Sequence, residues 1–238
     1  FRKAEKFFDV VTWTGDGVTG REIAHNLGSV PAVIITKRYD SSDAWWTVYH
    51  KNSPNSVGWL NETNAFNGND MQYYYGNGSS AVTPTSSVFT VSDSANVNGS
   101  AATYVAYLFA SDAGGFGDDG DENIIKCGSF TTDSSAVFYE NLGFEPQWVL
   151  VKRSDSASAW NLLDNMRGFL AEGTAGGKYL RPNTNGAEGN LSSTDSEYIN
   201  ATGFGANGNG VTGSANATFI YIAIRRPMKT PESGTEVF

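Results

Sequence analysis

The sequence is poor in cysteine, histidine and positive charge. Its 238 residues include one cysteine, Cys127, so no disulfide forms within the chain and stability must come from packing; we expect Cys127 to be a small buried strand residue. The 16 Lys and Arg residues are scattered and face 25 Asp and Glu residues, which gives a formal net charge of -9. A nucleic-acid binder needs a basic face that neutralises phosphates. We therefore expect no nucleic-acid partner.

Long apolar runs are also missing. No stretch approaches the roughly 20 apolar residues that cross a bilayer as a helix, so we expect no membrane insertion. Runs of Ala, Leu, Glu and Lys that favour helices are few, whereas Gly, Ser, Thr, Asn and aromatic residues are abundant. The composition predicts an all-β, loop-rich protein.

One stretch of the sequence occurs twice. HNLGSVPAVIITKRYDSSDAW begins at residue 25 and ENLGFEPQWVLVKRSDSASAW begins at residue 140, and ten of the twenty positions from Asn26 and Asn141 onward are identical without a gap. The same spacing of 115 residues pairs the apolar segments YVAYLFA and FIYIAI. This unit is too long for a solenoid repeat and suits a self-contained sandwich. We predict two tandem β-sandwich domains, jelly-roll-like, related by internal duplication.

The predicted domain boundaries follow this repeat. Residues 8–112 form the first β-sandwich repeat, the acidic, Gly-rich residues 113–121 form a flexible linker, and residues 122–230 form the second repeat. Residues 1–7 are expected to end a preceding repeat or linker, because FRK resembles the IRR at the end of the last strand. Residues 231–238 are expected to start a following segment. This pattern indicates a piece of a longer array.

Each unit predicts the same order of strands. FFDVVTWT and NIIKCGSFT are first strands, and AVIITKR and QWVLVKR are apolar enough to be buried on both faces. The NLGxxP turn before them lets Gly28 and Gly143 take a positive φ, while Pro31 and Pro146 begin the strand. The polar segments 52–84 and 167–200 are long loops, and loops of this length are often functional.

Two repeated features predict scaffold. The Lys-Arg pairs at 37 and 152 stand beside Asp40 and Asp155, which indicates ion pairs across the turn; a carboxylate-binding role is the alternative. Trp45 and Trp160 occupy the same position in both copies, so we expect them to anchor the two cores.

The acidic residues of the linker allow two interpretations. Asp118, Asp119 and Asp121 either belong to a solvated linker or bind Ca2+, which prefers several carboxylates on a flexible turn. The EF-hand pattern fails, because Ile124 and Phe130 stand where it needs glycine and glutamate. Ca2+ is the one cofactor that the sequence suggests.

Enzyme motifs are missing from the sequence. It contains no GxSxG, HExxH, phosphate-binding GxxxxGK[ST] or CxxC, and the second copy has Glu140 and Asn165 in place of His25 and His50. We therefore expect no enzyme. Paired carboxylates for glycoside cleavage stay open, because their separation cannot be read from a sequence.

Aromatic residues that differ between the copies are the candidate ligand contacts. They are Trp46, Trp59, Tyr73, Tyr74 and Tyr75, in or beside the first polar loop. Such rings stack on sugar faces while Asn and Asp form hydrogen bonds, and packing within the core is the alternative. We predict a glycan-contacting loop around Trp59 and residues 73–75.

The segments FFDVVTWTGDG, HNLGSVPAVIITKR, YVAYLFA, GDENIIKCGSF, NLGFEPQWVLVKR, LLDNMRG, KYLRPN and IAIRRP together carry a family resemblance. The chain resembles a tandem domain of unknown function in structural proteins of tailed bacteriophages, many of them marine and often tail fibre or receptor-binding proteins. The resemblance implies a non-enzymatic virion protein of a tail fibre or other surface appendage, with other virion proteins and a host-surface glycan as partners. Fibres of this kind are commonly homotrimers. A structural shaft or capsid-decoration module is the first alternative, and a polysaccharide depolymerase is the second.

Overall fold

The computed structural model describes residues 2–66, 68–169, 171, 176–191 and 197–225. These residues form an all-β protein of sixteen strands with two single-turn 3-10 helices, Met71–Tyr73 and Asn165–Arg167. The all-β prediction is confirmed. Within these residues no helix has the length and apolarity needed to cross a bilayer. The predicted following segment, 231–238, lies outside the described residues.

The first half of the chain forms one large and one small antiparallel sheet. Its strands are β1 (Phe8–Thr14), β2 (Arg21–Ala24), β3 (Val33–Arg38), β4 (Trp46–His50), β5 (Gly58–Trp59), β6 (Val88–Val91) and β7 (Thr103–Phe109). The large sheet has the order β1-β7-β3-β4-β5, and β2 pairs with β6 in the small sheet.

The second half of the chain follows the same plan. Its strands are β8 (Ile125–Thr131), β9 (Val137–Asn141), β10 (Pro146–Arg153), β11 (Trp160–Asp164), β12 (Lys178–Leu180), β13 (Gly189–Asn190), β14 (Glu197–Asn200), β15 (Gly203–Asn207) and β16 (Thr218–Arg225). The large sheet has the order β13-β12-β11-β10-β16-β8 and the small sheet the order β14-β15-β9. The order β1-β7-β3-β4 thus has its equivalent in β8-β16-β10-β11. The duplication itself stays a prediction.

The sheets stack in four layers, with the two large sheets in the middle. Side chains alternate along a strand, so one face of each large sheet packs on the small sheet of its own half and the other face packs on the opposite half. In β10, Leu150 joins the cluster shared with the first half, whereas Val149 and Val151 join the core of the second half. This arrangement explains why β3 and β10 read as apolar on both faces.

The junction between the large sheets is apolar and tightly packed. Val33, Ile35 and Val48 of the first half face Leu150 and Ile222 of the second, and the space between them does not admit a water molecule. Hydrophobic burial therefore holds the halves together, at roughly 25 cal/mol for each Å² of apolar surface removed from water. Cys127 is 1% exposed in the same cluster, as expected of a buried strand residue.

The repeated turn motifs have the predicted scaffold role. Gly28 and Gly143 have φ values of 70° and 79°, in the left-handed region that favours glycine. In each copy the arginine of the Lys-Arg pair binds the aspartate after it, with Nε to Oδ1 distances of 2.5 Å for Asp40 and 2.7 Å for Asp155. The predicted ion pairs are confirmed. β10 begins at Pro146, whereas Pro31 lies two residues before β3.

The prediction that Trp45 anchors a core is wrong. Trp160 is 3% exposed, but its equivalent Trp45 is 41% exposed. The reason is a difference of one residue in the turn before each strand. Trp160 starts β11 opposite Lys152, and its ring meets Phe66 of the first half at 6.0 Å. Trp45 lies one residue before β4, where Trp46 is the residue opposite Lys37.

The predicted linker has local structure of its own. Phe116 bridges Glu122, and the Gly115 N–H donates to the Gly120 carbonyl at 2.8 Å, which closes a small loop. The Phe116 ring meets Phe7 edge-on at 6.4 Å. Whether the segment is flexible stays a prediction.

Candidate functional site

A cleft opens at the edge of the junction between the two halves, and we call it the junction cleft. Its volume is about 480 Å³, within the range of small-molecule sites. The first half contributes Trp59, Asn64, Ala65, Gly68 and Asp70, and the second half contributes Asp155, Ser156 and Ala157. The site is thus complete only when the two halves are packed together.

Backbone hydrogen bonds across the junction fix one wall of this cleft. The Phe66 N–H donates to the Ser154 carbonyl at 2.8 Å, and the Ser158 N–H donates to the Thr63 carbonyl at 2.8 Å. The Trp160 indole adds a bond from Nε1 to the Trp59 carbonyl at 2.9 Å. Residues 59–66 are thereby held against residues 154–160, which positions the lining side chains without help from a ligand.

A buried lysine supports the same wall. Lys152 is 1% exposed, and its Nζ donates to the carbonyls of Thr63 at 3.3 Å and Arg153 at 2.8 Å. Burial lowers the pKa of Lys152 to about 8; the nearby Arg153 charge acts in the same direction and Asp155 opposes it. The ammonium group therefore acts as a structural link between the halves and does not line the cleft.

An aromatic cluster lies at the Trp59 side of the cleft. The Trp59 ring centroid is 5.1 Å from that of Trp45 and 6.2 Å from that of Tyr74, the latter edge-on. The Trp59 Nε1–H is buried and has no hydrogen-bond partner among the described residues. An unpaired buried donor costs about 1 to 3 kcal/mol.

The five predicted aromatic contacts have different surroundings. Trp59 lines the junction cleft, Tyr74 packs against it, and Tyr73 is 56% exposed on the 3-10 helix. Trp46 is half-buried and stacks on Tyr107 at 6.4 Å.

Tyr75 corrects the predicted set. It is 1% exposed, and its hydroxyl lies 2.9 Å from Thr36 Oγ1 and 3.1 Å from the Thr47 carbonyl oxygen. Tyr75 lies two residues after the 3-10 helix, and its ring packs edge-on against Tyr49 in the core. Its side chain is therefore not accessible to a ligand. The three consecutive tyrosines thus differ in burial: Tyr73 is exposed, Tyr74 is half-buried and Tyr75 lies in the core.

The two carboxylates of the cleft are fixed by hydrogen bonds. Asp155 Oδ1 accepts from Arg153, and Oδ2 accepts from the Thr218 N–H at 3.2 Å. Partial burial acts to raise the pKa of Asp155, but these hydrogen bonds outweigh it and lower the pKa below its ordinary value. Asp70 Oδ1 accepts from the Val57 N–H at 3.1 Å. The Asp155 carboxyl group therefore stays ionised at neutral pH, where it is paired with Arg153.

The predicted Ca2+ residues lie elsewhere. Asp118, Asp119 and Asp121 are exposed on the loop of the linker. Over the described part of the chain, no group of three or more His, Cys, Asp or Glu side chains is arranged to hold a metal ion. Ca2+ binding by this loop stays a prediction.

Several cleft residues carried no functional signal in the sequence. Asp155 and Ser156 belong to the repeated motif, whose pattern predicts scaffold, and Asn64 and Asp70 lie in a polar loop without a recognisable motif. Their role depends on the packing of one half on the other, which joins residues about 90 positions apart. The feature of the sequence that could have indicated this cleft was the tryptophan-rich stretch from 45 to 59.

Comparison with known proteins gives a family without an assigned function. Neither curated protein sequences nor solved structures gave a significant match. A family model matches residues 3–227, which include both halves and the junction. The chain therefore belongs to the family described as domain of unknown function DUF7483.

Proposed function

We propose that this chain is a non-enzymatic module of a phage tail fibre or related appendage that holds a host-surface glycan in the junction cleft. The observation that carries the proposal is the cleft itself, where the Trp59 ring stands beside Asn64, Asp70, Asp155 and Ser156. A sugar offers an apolar face to an aromatic ring and hydroxyl groups to amide and carboxylate side chains. The virion setting is supported by the sequence resemblance alone.

The carboxylates of the cleft suit the binding of a glycan better than its cleavage. A glycosidase needs one carboxyl group that is protonated near neutral pH and a second that is ionised. The lowered pKa of Asp155 keeps it ionised, so it does not suit the role of general acid. A depolymerase would have to take its acid from another residue.

The test is binding of the purified chain to a glycan array, followed by titration of the hits with cleft variants. We expect Asn64→Ala to weaken binding about fivefold, since a lost hydrogen bond is worth about 1 kcal/mol. Ala157→Trp should weaken it more than tenfold, because the new ring fills the cleft from an exposed position. Unchanged affinity in both variants would contradict the proposal.

Matched variants control for the chemistry of each change. Ser42 occupies the position of Ala157 in the first copy and lies outside the cleft, so Ser42→Trp should leave affinity unchanged. Asn209→Ala removes an equally exposed amide from the far loop of the second half and should also have no effect. Circular dichroism of all four variants shows whether the fold is kept.

A purely structural shaft or capsid-decoration module is the second candidate. The apolar junction favours it, because it joins the two halves into one stiff unit. For such a module we expect no glycan to bind and the isolated chain to form a stable oligomer, which analytical ultracentrifugation would detect.

A further inference from the structure

A second cleft continues the first along the junction, and we call it the side cleft. Its volume is about 350 Å³, and it shares Gly68 and Asp155 with the junction cleft. Asn52 and Asn55 border it from the first half, and Ser154 and Thr218 from the second. The two clefts therefore form one groove that is longer than a single small ligand.

The two ends of this groove differ in chemistry. The junction cleft offers the Trp59 ring, whereas the side cleft is lined mainly by neutral amide and hydroxyl side chains, among them Asn52, Ser53, Asn55 and Asn69. Amides and hydroxyls both donate and accept hydrogen bonds, as sugar hydroxyls do. One sugar unit stacked at Trp59 would therefore leave its neighbours along the chain facing polar groups.

The charge of the groove selects against anionic ligands. Its described lining contains the carboxylates of Asp70 and Asp155 and no lysine or arginine. The adjacent Arg153 is already bonded to Asp155, with Nε 2.7 Å from Oδ1. A uronate or sulfate group would meet fixed negative charge without a cation to pair with.

We propose that the groove binds an oligosaccharide of more than one unit that carries no acidic groups, with one unit at Trp59 and the following units in the side cleft. This inference rests on the glycan-binding function proposed above. It adds the extent, the placement and the charge class of the ligand.

The experiment is a tryptophan-fluorescence titration with defined oligomers of one to six units. The probes are neutral homopolymers of glucose, mannose, galactose and N-acetylglucosamine, with the matching uronic-acid and amino-sugar oligomers. We expect affinity to rise about tenfold from one unit to three and then to level off, and uronic-acid oligomers to bind about tenfold more weakly at low salt.

Two variants locate the ends of the ligand. Asn55 is exposed in the side cleft, so Asn55→Trp should remove the gain from lengthening and weaken the binding of single sugars much less than that of longer oligomers. Ala157→Trp should weaken binding of every length, and Ser42→Trp should change none.

The outcomes separate this inference from the function on which it rests. Binding that does not increase with length, or an equal effect of Asn55→Trp on short and long oligomers, overturns the extended site and leaves glycan binding intact. Preference for uronic-acid oligomers overturns the charge class. If no oligomer binds at all, the proposed function and this inference fail together.

Discussion

Replacing Trp160 with alanine is expected to lower the free energy of unfolding by roughly 3 to 5 kcal/mol, as for other buried tryptophans. Trp160 is 3% exposed, meets Phe66 edge-on and donates from its indole to the Trp59 carbonyl. Alanine would leave a cavity at the junction and remove this bond between the halves. Urea unfolding followed by far-UV circular dichroism measures the change.

The repeat supplies a matched control for this substitution. Trp45 aligns with Trp160 in the first copy but is 41% exposed, so Trp45→Ala should cost about 1 kcal/mol or less. Trp160→Phe should lie between the two, because it keeps much of the apolar volume and loses the indole bond. Equal losses for both alanine variants would show that the junction contributes little to stability.

The junction also links stability to binding. Trp59 and Asp70 approach Asp155 and Ser156 only while the halves are packed, so a ligand that binds in the cleft, as proposed for a glycan, would stabilise the packed state. The Trp160→Ala variant should therefore regain part of its lost stability when a bound glycan saturates the cleft. Trp160 does not line the cleft, so it would affect ligand binding only by positioning Trp59.

The strands were largely predictable from the sequence, because local patterns determine them. The segments FFDVVTWT, AVIITKR, QWVLVKR and YVAYLFA all form strands, and the apolar faces of β3 and β10 indicated burial on both sides. The positive φ at Gly28 and Gly143 followed from the turn sequence. The polar segments 52–84 and 167–200 were predicted less well. They contain short strands such as β5 and β12, which form by pairing with the edge strand of a sheet.

The site was less predictable, because it forms between residues that are distant in the sequence. Trp45 and Trp160 align in the sequence, but the turn before β4 is one residue longer than the turn before β11, so Trp46 takes the place opposite Lys37 that Trp160 takes opposite Lys152. Trp45 is left exposed before the strand begins. Tyr73 and Tyr75 are the same residue type in the same polar segment, and the sequence does not show which of them is buried. Tyr73 ends the 3-10 helix and is exposed, whereas Tyr75, two residues later, lies in the core. The cleft also includes Asp155 of the repeated motif, whereas the contacts predicted from the sequence were aromatic residues that differ between the copies.

Acidification from pH 7.5 to pH 4.5 is expected to destabilise the protein through His50. This histidine is 2% exposed at the junction, where Nδ1 accepts from the Asn52 N–H at 3.2 Å and Nε2 lies 3.2 Å from the Tyr221 carbonyl oxygen. Nδ1 is thus the acceptor, and the proton on Nε2 is donated to the opposite half. Burial lowers the pKa of His50 from 6.5 to about 4, against the hydrogen bond to Tyr221.

The sign of the pH effect follows from this lowered pKa. Above pH 6.5 the ring is neutral in both states and stability is complete, whereas between pH 6.5 and 4 the unfolded chain binds a proton that the folded chain does not. The loss over this range is about 3 kcal/mol, at about 1.4 kcal/mol for each pH unit. Aspartates such as Asp40 and Asp155, whose pKa values are lowered, lose their contribution only at more acidic pH.

Urea unfolding at pH 7.5, 6.5, 5.5 and 4.5 tests this effect, with His50→Asn as the key variant because the asparagine amide does not titrate and can still form hydrogen bonds. The variant is expected to be less stable at pH 7.5 and to lose most of the dependence on pH. His25→Gln is the control: burial also lowers the pKa of His25, which bonds to Thr85 within the first half, so its removal should leave most of the slope in place. If the slope is the same in the native protein and in His50→Asn, protonation at the junction is not the cause of the acid sensitivity. If instead the slope disappears only in His50→Asn, proton uptake at this one ring opposes the packing of the two halves, and the junction cleft should lose affinity for its ligand over the same pH range.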